Sequence, residues 1–422
     1  MRCVSLIGIL VTSCLTLQAQ TSKKFYILAD RVFDGEVMHD GWAVVVDGDK
    51  IVAIGPRDKV AEPPGATKIT RPNSTLLPGL IEGHTHLFLY PYNITDWDTQ
   101  VLKESDSYRT ARATVHAKNT LMAGFTTARD LGTEGAGYSD VGLKRAINEG
   151  LIPGPRLIVA TRAIVATGAY GPKGYDTDME IMMGAEEADG PEVVRVVRSQ
   201  IGKGADFIKV YADYHWQEKE ESRPTFSLEE IKAMVDAAAS AGRAVVAHAV
   251  TTEGIKRAVL AGVQTIEHGD HVDFETARLM KDHNVTFIPT LAVGESLERY
   301  KGWVKGKMAE PERITAKKKS FAEALRAGVT IGMGGDVGVF THGENVLEME
   351  LMVEYGMQPL DVMKSATSIN AKAFHIDGEL GSIKPGMKAD LIVISGDPTR
   401  SISNLRKVMV VMKDGIIYRN DQ

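Results

Sequence analysis

This chain has almost no cysteine. Its two, Cys3 and Cys14, both fall inside an N-terminal stretch that reads as a leader. Beyond that stretch no thiol is available for a disulfide, a metal or a nucleophilic attack. Any metal must therefore be held by histidine and oxygen ligands. A basic tract is also lacking, and the formal net charge is −6, so nothing favours nucleic acid as a partner. After the leader, no uninterrupted apolar run approaches the length of a membrane span. Blocks of like charge, low-complexity segments and short-period repeats are missing too, which removes any reason to expect a disordered tail.

What is present is ordinary globular material, 44% hydrophobic and 25% charged over 422 residues. That is enough for one large domain with an accessory one, or for two or three of usual size. The leader has the three parts of a secretory signal in order. Arg2 supplies the basic start, residues 4–17 the apolar segment, and residues 17–19 a small-residue cleavage site before Gln20. Residues 11–14 also resemble a lipobox, which would anchor the chain through Cys14. The apolar residues that follow Cys14 make this the weaker reading. The expected location is periplasmic or secreted.

Residues 25–80 read as short strands separated by turn signals such as Asp47-Gly48-Asp49. Residues 389–418 have the same texture, with Asp414-Gly415 as a turn. Neither piece is large enough for its own core, so together they predict one small β-sandwich built from both chain ends. Between them, apolar runs suited to buried strands alternate with helical patterns. Eight strands are expected, at 76–86, 126–131, 156–161, 206–211, 244–248, 265–268, 286–289 and 330–336. Helices are expected at 107–123, 191–203, 227–241 and 311–327. Ser227 followed by Glu230 signals a capping box, and Gly242 a helix stop. Eight alternations over about 250 residues suit a TIM (β/α)8 barrel. A doubly wound open sheet is the alternative. The resulting division is a signal peptide at 1–19, sandwich pieces at 20–79 and 380–422, and the barrel at 80–379.

In a barrel, function gathers at the C-terminal strand ends. The first strand ends in His84-Thr85-His86, and residues two apart share a face. Two imidazoles on one face at a strand terminus can hold one metal ion, or they are simply polar loop residues. The fourth strand carries Lys209, the fifth His248, the sixth His268, and the eighth ends in Asp336. Taken singly, His248 and His268 read as hydrogen-bonded core histidines, Lys209 as a surface lysine, and Asp336 as a turn residue after Gly334-Gly335. Taken jointly, they form a constellation. Four of the chain's 11 histidines lie at the ends of three expected strands.

With PGLIEGHTH, the lysine strand, two single-histidine strands and GGD in this order, the sequence resembles the amidohydrolase superfamily. It is similar in particular to the imidazolonepropionase-like and Xaa-Pro dipeptidase-like branch. GSIKPGMKADLIVISGDP near the C-terminus is also typical, and the resemblance covers nearly all of the chain after the leader. It implies two divalent metal ions, zinc foremost, with manganese, cobalt or iron as other candidates. His84 and His86 would bind the more buried ion with Asp336, and His248 and His268 the more exposed one. Lys209 would carry a carbamate bridging both. It further implies hydrolysis of an amide or peptide-like C–N bond by a metal-bridging hydroxide, with Asp336 moving the proton.

The substrate is expected to be a small molecule or dipeptide, read by loops beyond the strands. The long loop after the third strand carries Arg162, Tyr170, Lys173 and Tyr175. The segment after Lys209 carries Tyr211, Asp213, Tyr214, His215 and Trp216, and the last loop carries His342. Arg162, Tyr170, Tyr211 and His342 are the candidate substrate contacts. VYADYHW departs from the glycine-rich segment usual after the lysine in Xaa-Pro dipeptidases, which puts that specificity in doubt. Two alternatives stand beside this reading. One is a mononuclear deaminase or cyclic-amide hydrolase of the same superfamily, which has no need of Lys209. The other is a non-catalytic binding relative, although such relatives usually lose ligands and none is missing here. Homo-oligomers are common in the family, yet no apolar stripe singles out an interface.

Overall fold

The computed structural model describes residues 23–421. The expected leader, with Cys3 and Cys14, lies outside these residues. Both chain ends contribute to one mixed sheet. From the front come β1 (Lys24–Phe33), β2 (Met38–Asp40), β3 (Trp42–Asp47), β4 (Lys50–Pro56) and β5 (Thr67–Pro78). From the back come β17 (Leu391–Ser395), β18 (Val408–Lys413) and β19 (Ile416–Asn420). The order is β19-β18-β17-β5-β1-β3-β4, with β2 paired to β1. The two ends meet where β5 runs antiparallel to β17, pairing Leu76 with Val393. Alternate residues of these strands, among them Ile27, Val44, Val46, Leu391 and Val410, make one buried cluster.

The hairpin between β18 and β19 turns on Asp414 and Gly415, at φ of 49° and 70°. A two-residue turn of this kind needs both signs positive. A Cβ on Gly415 would lie 1.9 Å from the Gly48 carbonyl oxygen. This turn therefore rests directly on the one joining β3 to β4.

The middle of the chain is α/β. β6 (Leu80–Thr85), β7 (Phe125–Asp130) and β8 (Arg156–Val159) form one parallel sheet. A second parallel sheet contains β9 (Ile164–Val165), β10 (Glu186–Glu187), β11 (Ile208–Tyr211), β14 (Val245–Ala249), β15 (Thr265–His268) and β16 (Thr286–Ile288). A small ribbon, β12 (Asp213–Tyr214) with β13 (Arg223–Pro224), follows β11. The two parallel sheets are joined on both sides. Asp206 N donates to the Val159 carbonyl at 2.8 Å. On the other side, Ile331 bridges to Phe287 and Val337 to Thr85, both in parallel.

Helices follow the strands, including Asp106–Met122, Glu192–Gly202, Leu228–Ala239 and Glu312–Ala327. Strands such as β7 and β11 are buried along their whole length, as expected for parallel strands covered on both faces, although β7 carries Thr126, Thr127, Arg129 and Asp130 among its buried residues. The helix Leu228–Ala239 buries Ile231, Met234, Ala237 and Ala238 on one face. Its expected capping box is present: Ser227 Oγ accepts from Glu230 N, and Glu230 accepts from Ser227 N.

Two expected strands differ from what is seen. The run 76–86 is split at Gly79, with Leu76–Pro78 in the chain-end sheet and Leu80 onward in the parallel one. A Cβ at Gly79 would fall 2.1 Å from Thr126 Oγ1, so the crossing is tight enough to require glycine. The run 330–336 makes only the isolated bridge at Ile331. Its backbone bonds to different neighbours in turn, from Gly332 to Phe287 and from Asp336 to His84.

His116, on the helix Asp106–Met122, stacks on His342 with ring centroids 4.3 Å apart. Burial pushes its pKa from 6.5 down to about 4. Above about pH 6.5 the imidazole is neutral in both folded and unfolded chains. Between about 6.5 and about 4 the unfolded chain takes up a proton that the folded one refuses, so stability falls as pH falls. The loss is on the order of 3 kcal/mol by the lower limit. Thermal midpoints recorded across this window should decline less steeply in His116→Gln than in the parent. Equal slopes would remove His116 from the acid limb.

Candidate metal centre

His84, His86, His248, His268 and Asp336 sit at or just beyond the C-terminal end of a parallel segment, whereas Lys209 lies within β11, two residues before its end. His84 Nε2 and His86 Nε2 lie 3.6 and 3.5 Å from the same atom, Asp336 Oδ1. One ligand atom from each of the three residues falls within 4.8 Å of the others. The far nitrogens are fixed: His84 Nδ1 meets Glu267 Oε2 at 2.8 Å, and His86 Nδ1 meets the Gly132 carbonyl at 2.8 Å. Such partners select the tautomer that leaves Nε2 free for a ligand.

The remaining residues close around this triad. The His268 ring is 4.9 Å from His84 and 4.4 Å from His248, and its Nδ1 is 2.8 Å from Thr290 Oγ1. His248 stacks on Tyr211 at 4.4 Å. His268 and Asp336 hold left-handed backbone conformations, at φ of 72° and 62°. Non-glycine residues keep such angles only where the surroundings over-determine them, as functional sites do. Lys209 is fully buried beside this group.

The electrostatics suit a metal. Burial holds the pKa values of His84, His248 and His268 well below the ordinary imidazole range. The rings are therefore neutral, the form that donates a lone pair. Burial also pushes Lys209 down to about 8, opposed by the carboxylates of Glu267, Asp336 and Glu134. Burial raises Asp336, while His86 and Lys209 pull it down. Three buried atoms here have no hydrogen-bond partner: His84 Nε2, Lys209 Nζ and Asp336 Oδ1. Orphaned polar atoms are costly, and a cation shared by nitrogen and oxygen donors satisfies the imidazole and the carboxylate together.

Beneath the triad lies a second layer. Glu267, wholly buried, faces both His84 and the Arg129 guanidinium, the latter at 2.6 Å. Glu82 accepts from His84 N at 3.0 Å, Gly335 N at 2.9 Å and Asn345 Nδ2 at 2.8 Å. It thus ties the His84 strand to the Asp336 segment.

Above the triad opens a cavity of about 800 Å³ whose walls include His86, His248, His268 and Asp336. Of the four candidate substrate contacts, Tyr211 and Tyr170 line it. Arg162 does not; its guanidinium bonds the Ala185 carbonyl at 3.1 Å and lies 3.7 Å from Glu186. His342 lines a separate cavity of about 400 Å³ and is held by the Leu89 carbonyl at 3.0 Å. Tyr214 and His215 also face the large cavity, with Tyr92, Trp97, Glu134 and Arg313, which sequence reasoning missed. Glu134 was within reach of the same logic, because it follows the end of the second parallel strand. Nothing in the sequence marks Arg313, in the first turn of the helix Glu312–Ala327.

The amidohydrolase family profile matches residues 75–418. The chain is 30% identical to an ochratoxinase of Aspergillus niger over 416 residues, covering 92% of this chain and 84% of the relative. It is similar to the crystal structure of a Xaa-Pro dipeptidase with bound methionine, at 33% identity and a TM-score of 0.84. That match covers 94% of this chain and all of the other. A prolidase complexed with N-methylphosphonate-L-proline matches at 28% identity and a TM-score of 0.81, over 94% of this chain and 100% of that one.

Glu267→Gln removes the charge that orients His84. Metal affinity should fall about 10- to 100-fold, read as metal retained per chain after dialysis against graded free zinc. Unchanged retention would detach Glu267 from the site.

Proposed function

The chain belongs to the amidohydrolase family, and we propose that it is a binuclear metal-dependent hydrolase of amide or peptide-like C–N bonds. One observation carries this reading: the unpartnered atoms of His84, Lys209 and Asp336 gather beside a large cavity. In this proposal His84, His86 and Asp336 would hold one ion and His248 and His268 a second, with zinc the foremost candidate. Lys209, as a carbamate, would complete this ligand set. An amine pushed down to about 8 has its neutral form accessible near neutrality, and only that form adds carbon dioxide. A buried, unpartnered Lys209 also weighs against a mononuclear relative.

Bound divalent ions supply Lewis-acid chemistry there, acidifying water and polarising a carbonyl. The chain's own residues do the rest. Glu267 and the Gly132 carbonyl hold the two imidazoles in one tautomer. Asp336 lines the cavity, and its carboxylate, raised by burial, takes a proton and returns it to the leaving nitrogen. Arg313, on the cavity wall 3.7 Å from Asp270, is the guanidinium offered to a substrate carboxylate. The ochratoxinase, dipeptidase and prolidase relatives support an amide-type bond as the target.

The same proposal takes the two joined parallel sheets, closed by the 331–337 segment, as a TIM barrel spanning 80–379. It takes the sheet of residues 20–79 and 380–422 as a sandwich beside the barrel. Secretion through residues 1–19 remains an expectation from the sequence. Among the described residues no helix is long and apolar enough to cross a membrane.

Metal-loaded protein should cleave members of a panel of dipeptides and N-acyl amino acids, with two metals per chain. Lactones and cyclic ureides serve as the other arms, and cleavage of lactones alone would overturn the bond assignment. Asp336→Asn should keep most of the metal while turnover drops by about 100- to 10,000-fold. Near-normal turnover would strip Asp336 of its proton-transfer role.

A further inference from the structure

One carboxylate in the cavity has no part in the chemistry above. Glu134 is 3% exposed and faces the cavity between β7 and the helix Ser139–Asn148. Its partners are neutral donors: the Tyr170 hydroxyl, Trp97 Nε1 at 3.2 Å and the Tyr211 hydroxyl at 3.5 Å. A guanidinium lies close by, but it is committed elsewhere. Arg109, 1% exposed, donates to the main-chain carbonyls of Glu134 at 2.7 Å, Thr133 at 2.9 Å and Phe88 at 3.1 Å. Those bonds clamp the loop and hold Glu134 at a φ of 49°. The backbone is fixed by a cation, and the side-chain carboxylate, though it feels the charges of Lys209 and Arg109, hydrogen-bonds only to neutral donors. A buried carboxylate without an ion pair is expensive, and a strained, clamped backbone is a built feature.

Aromatic rings surround this carboxylate. Tyr170 lies 5.5 Å from Trp97, 4.6 Å from Tyr211 and 5.0 Å from Tyr214, centroid to centroid. Tyr92 completes the same wall. Ring faces attract cations through their quadrupoles, and quaternary and primary ammonium groups are held in cages of this composition. Tyr211 connects the cage to the metal site, since its ring stacks on His248 while its hydroxyl reaches toward Glu134. Glu134 thus stands about one tyrosine ring from a candidate ligand, which a substrate's acyl-side residue can span.

We infer that Glu134 and the rings of Tyr92, Trp97, Tyr170, Tyr211 and Tyr214 form a subsite that reads an ammonium group on the acyl side of the substrate. The ammonium comes either from a free amino terminus or from a basic side chain. The preferred substrates are therefore cationic on that side, and N-acyl amino acids with a neutral acyl group are the poorer class. The inference rests on the proposed amide hydrolysis for its kinetic consequence only; the binding consequence is independent of turnover.

The test uses metal-loaded full-length protein and calorimetry with matched probes. L-phenylalaninamide carries an α-ammonium, N-acetyl-L-phenylalaninamide carries none, and N-acetyl-L-lysinamide carries one on its side chain. At least one ammonium probe should bind about tenfold or more tightly than the neutral one, and which one does so identifies the source. Glu134→Gln keeps the shape and an acceptor but removes the charge, and should erase that preference while moving the neutral probe far less. Tyr214→Leu, which leaves the bonds of Glu134 intact, should reduce the preference in part. In kinetics, an amide substrate bearing the ammonium that calorimetry prefers should exceed its acetylated, neutral form in kcat/KM, and Glu134→Gln should level the two. Equal binding of ammonium and neutral probes by the parent protein overturns the inference. So does an equal loss for both kinds of probe in Glu134→Gln, which would make Glu134 a structural group or a counter-charge to the metals. If no amide is turned over but the ammonium preference persists in calorimetry, the hydrolase reading falls and the subsite stands.

Discussion

The Arg129–Glu267 pair beneath His84 is the contact on which the site depends. Three strands converge there: Arg129 comes from β7, Glu267 from β15 and His84 from β6. A buried ion pair gains little net stability, because desolvating two charges offsets their attraction. What it supplies here is orientation. The guanidinium also donates to the Gly83 carbonyl at 2.8 Å and lies over the Phe374 ring at 4.1 Å, so it has little freedom to move. Glu267 inherits that rigidity and passes it to His84 Nδ1. Glu82 acts in parallel, tying the amides of His84 and Gly335 to the Asn345 side chain. The second layer is thus satisfied within itself, while His84 Nε2, Lys209 Nζ and Asp336 Oδ1 above it are not. The buried hydrogen bonds are used to orient these side chains, and the atoms that could take a metal ion are left open.

Much of this was legible in the sequence because ligand position follows strand position. A parallel strand buried on both faces announces itself as an apolar run, and its final polar residue is then conspicuous. That logic named His84, His86, Lys209, His248, His268 and Asp336 as candidates, of which the structure brings His84, His86 and Asp336 together as a set that could hold a metal ion. It failed at Gly79, where one apolar run serves two sheets: hydrophobicity reports burial, not which neighbour does the burying. It blurred at residues 330–336, where three glycines let the backbone follow its neighbours irregularly rather than as a strand. Side-chain direction in loops was beyond it altogether. Arg162 and Tyr170 belong to one loop, yet only Tyr170 turns into the cavity, and His342 packs against His116 instead. Glu134 follows a strand end, where the same logic applies, but the direction of its side chain is set by a turn that Arg109, a distant helical residue, clamps.

The cavity divides into two kinds of surface. Its floor is imidazole and carboxylate, neutral or paired, and held by main-chain and buried partners. One wall is aromatic and contains a single desolvated carboxylate, Glu134. Another carries charges in opposition: burial raises Asp270, yet Lys317 and Arg313 outweigh it and draw the carboxyl down to about 2. The floor gathers at the ends of the parallel strands and just beyond them, while the walls draw on β11, β12, helices and loops.

The pairing of Leu76 with Val393 has a consequence in time. During synthesis β5 leaves the ribosome on the order of tens of seconds before its partner β17 exists, at ordinary elongation rates. Through that interval β5 is a twelve-residue strand with one edge bare, the kind of edge that recruits other chains. The Gly48 turn likewise waits for the Gly415 turn that rests on it. The first part of the chain to be made is thus among the last to be finished, and nascent chains are at greatest risk of aggregation while the parallel core is already assembling behind them.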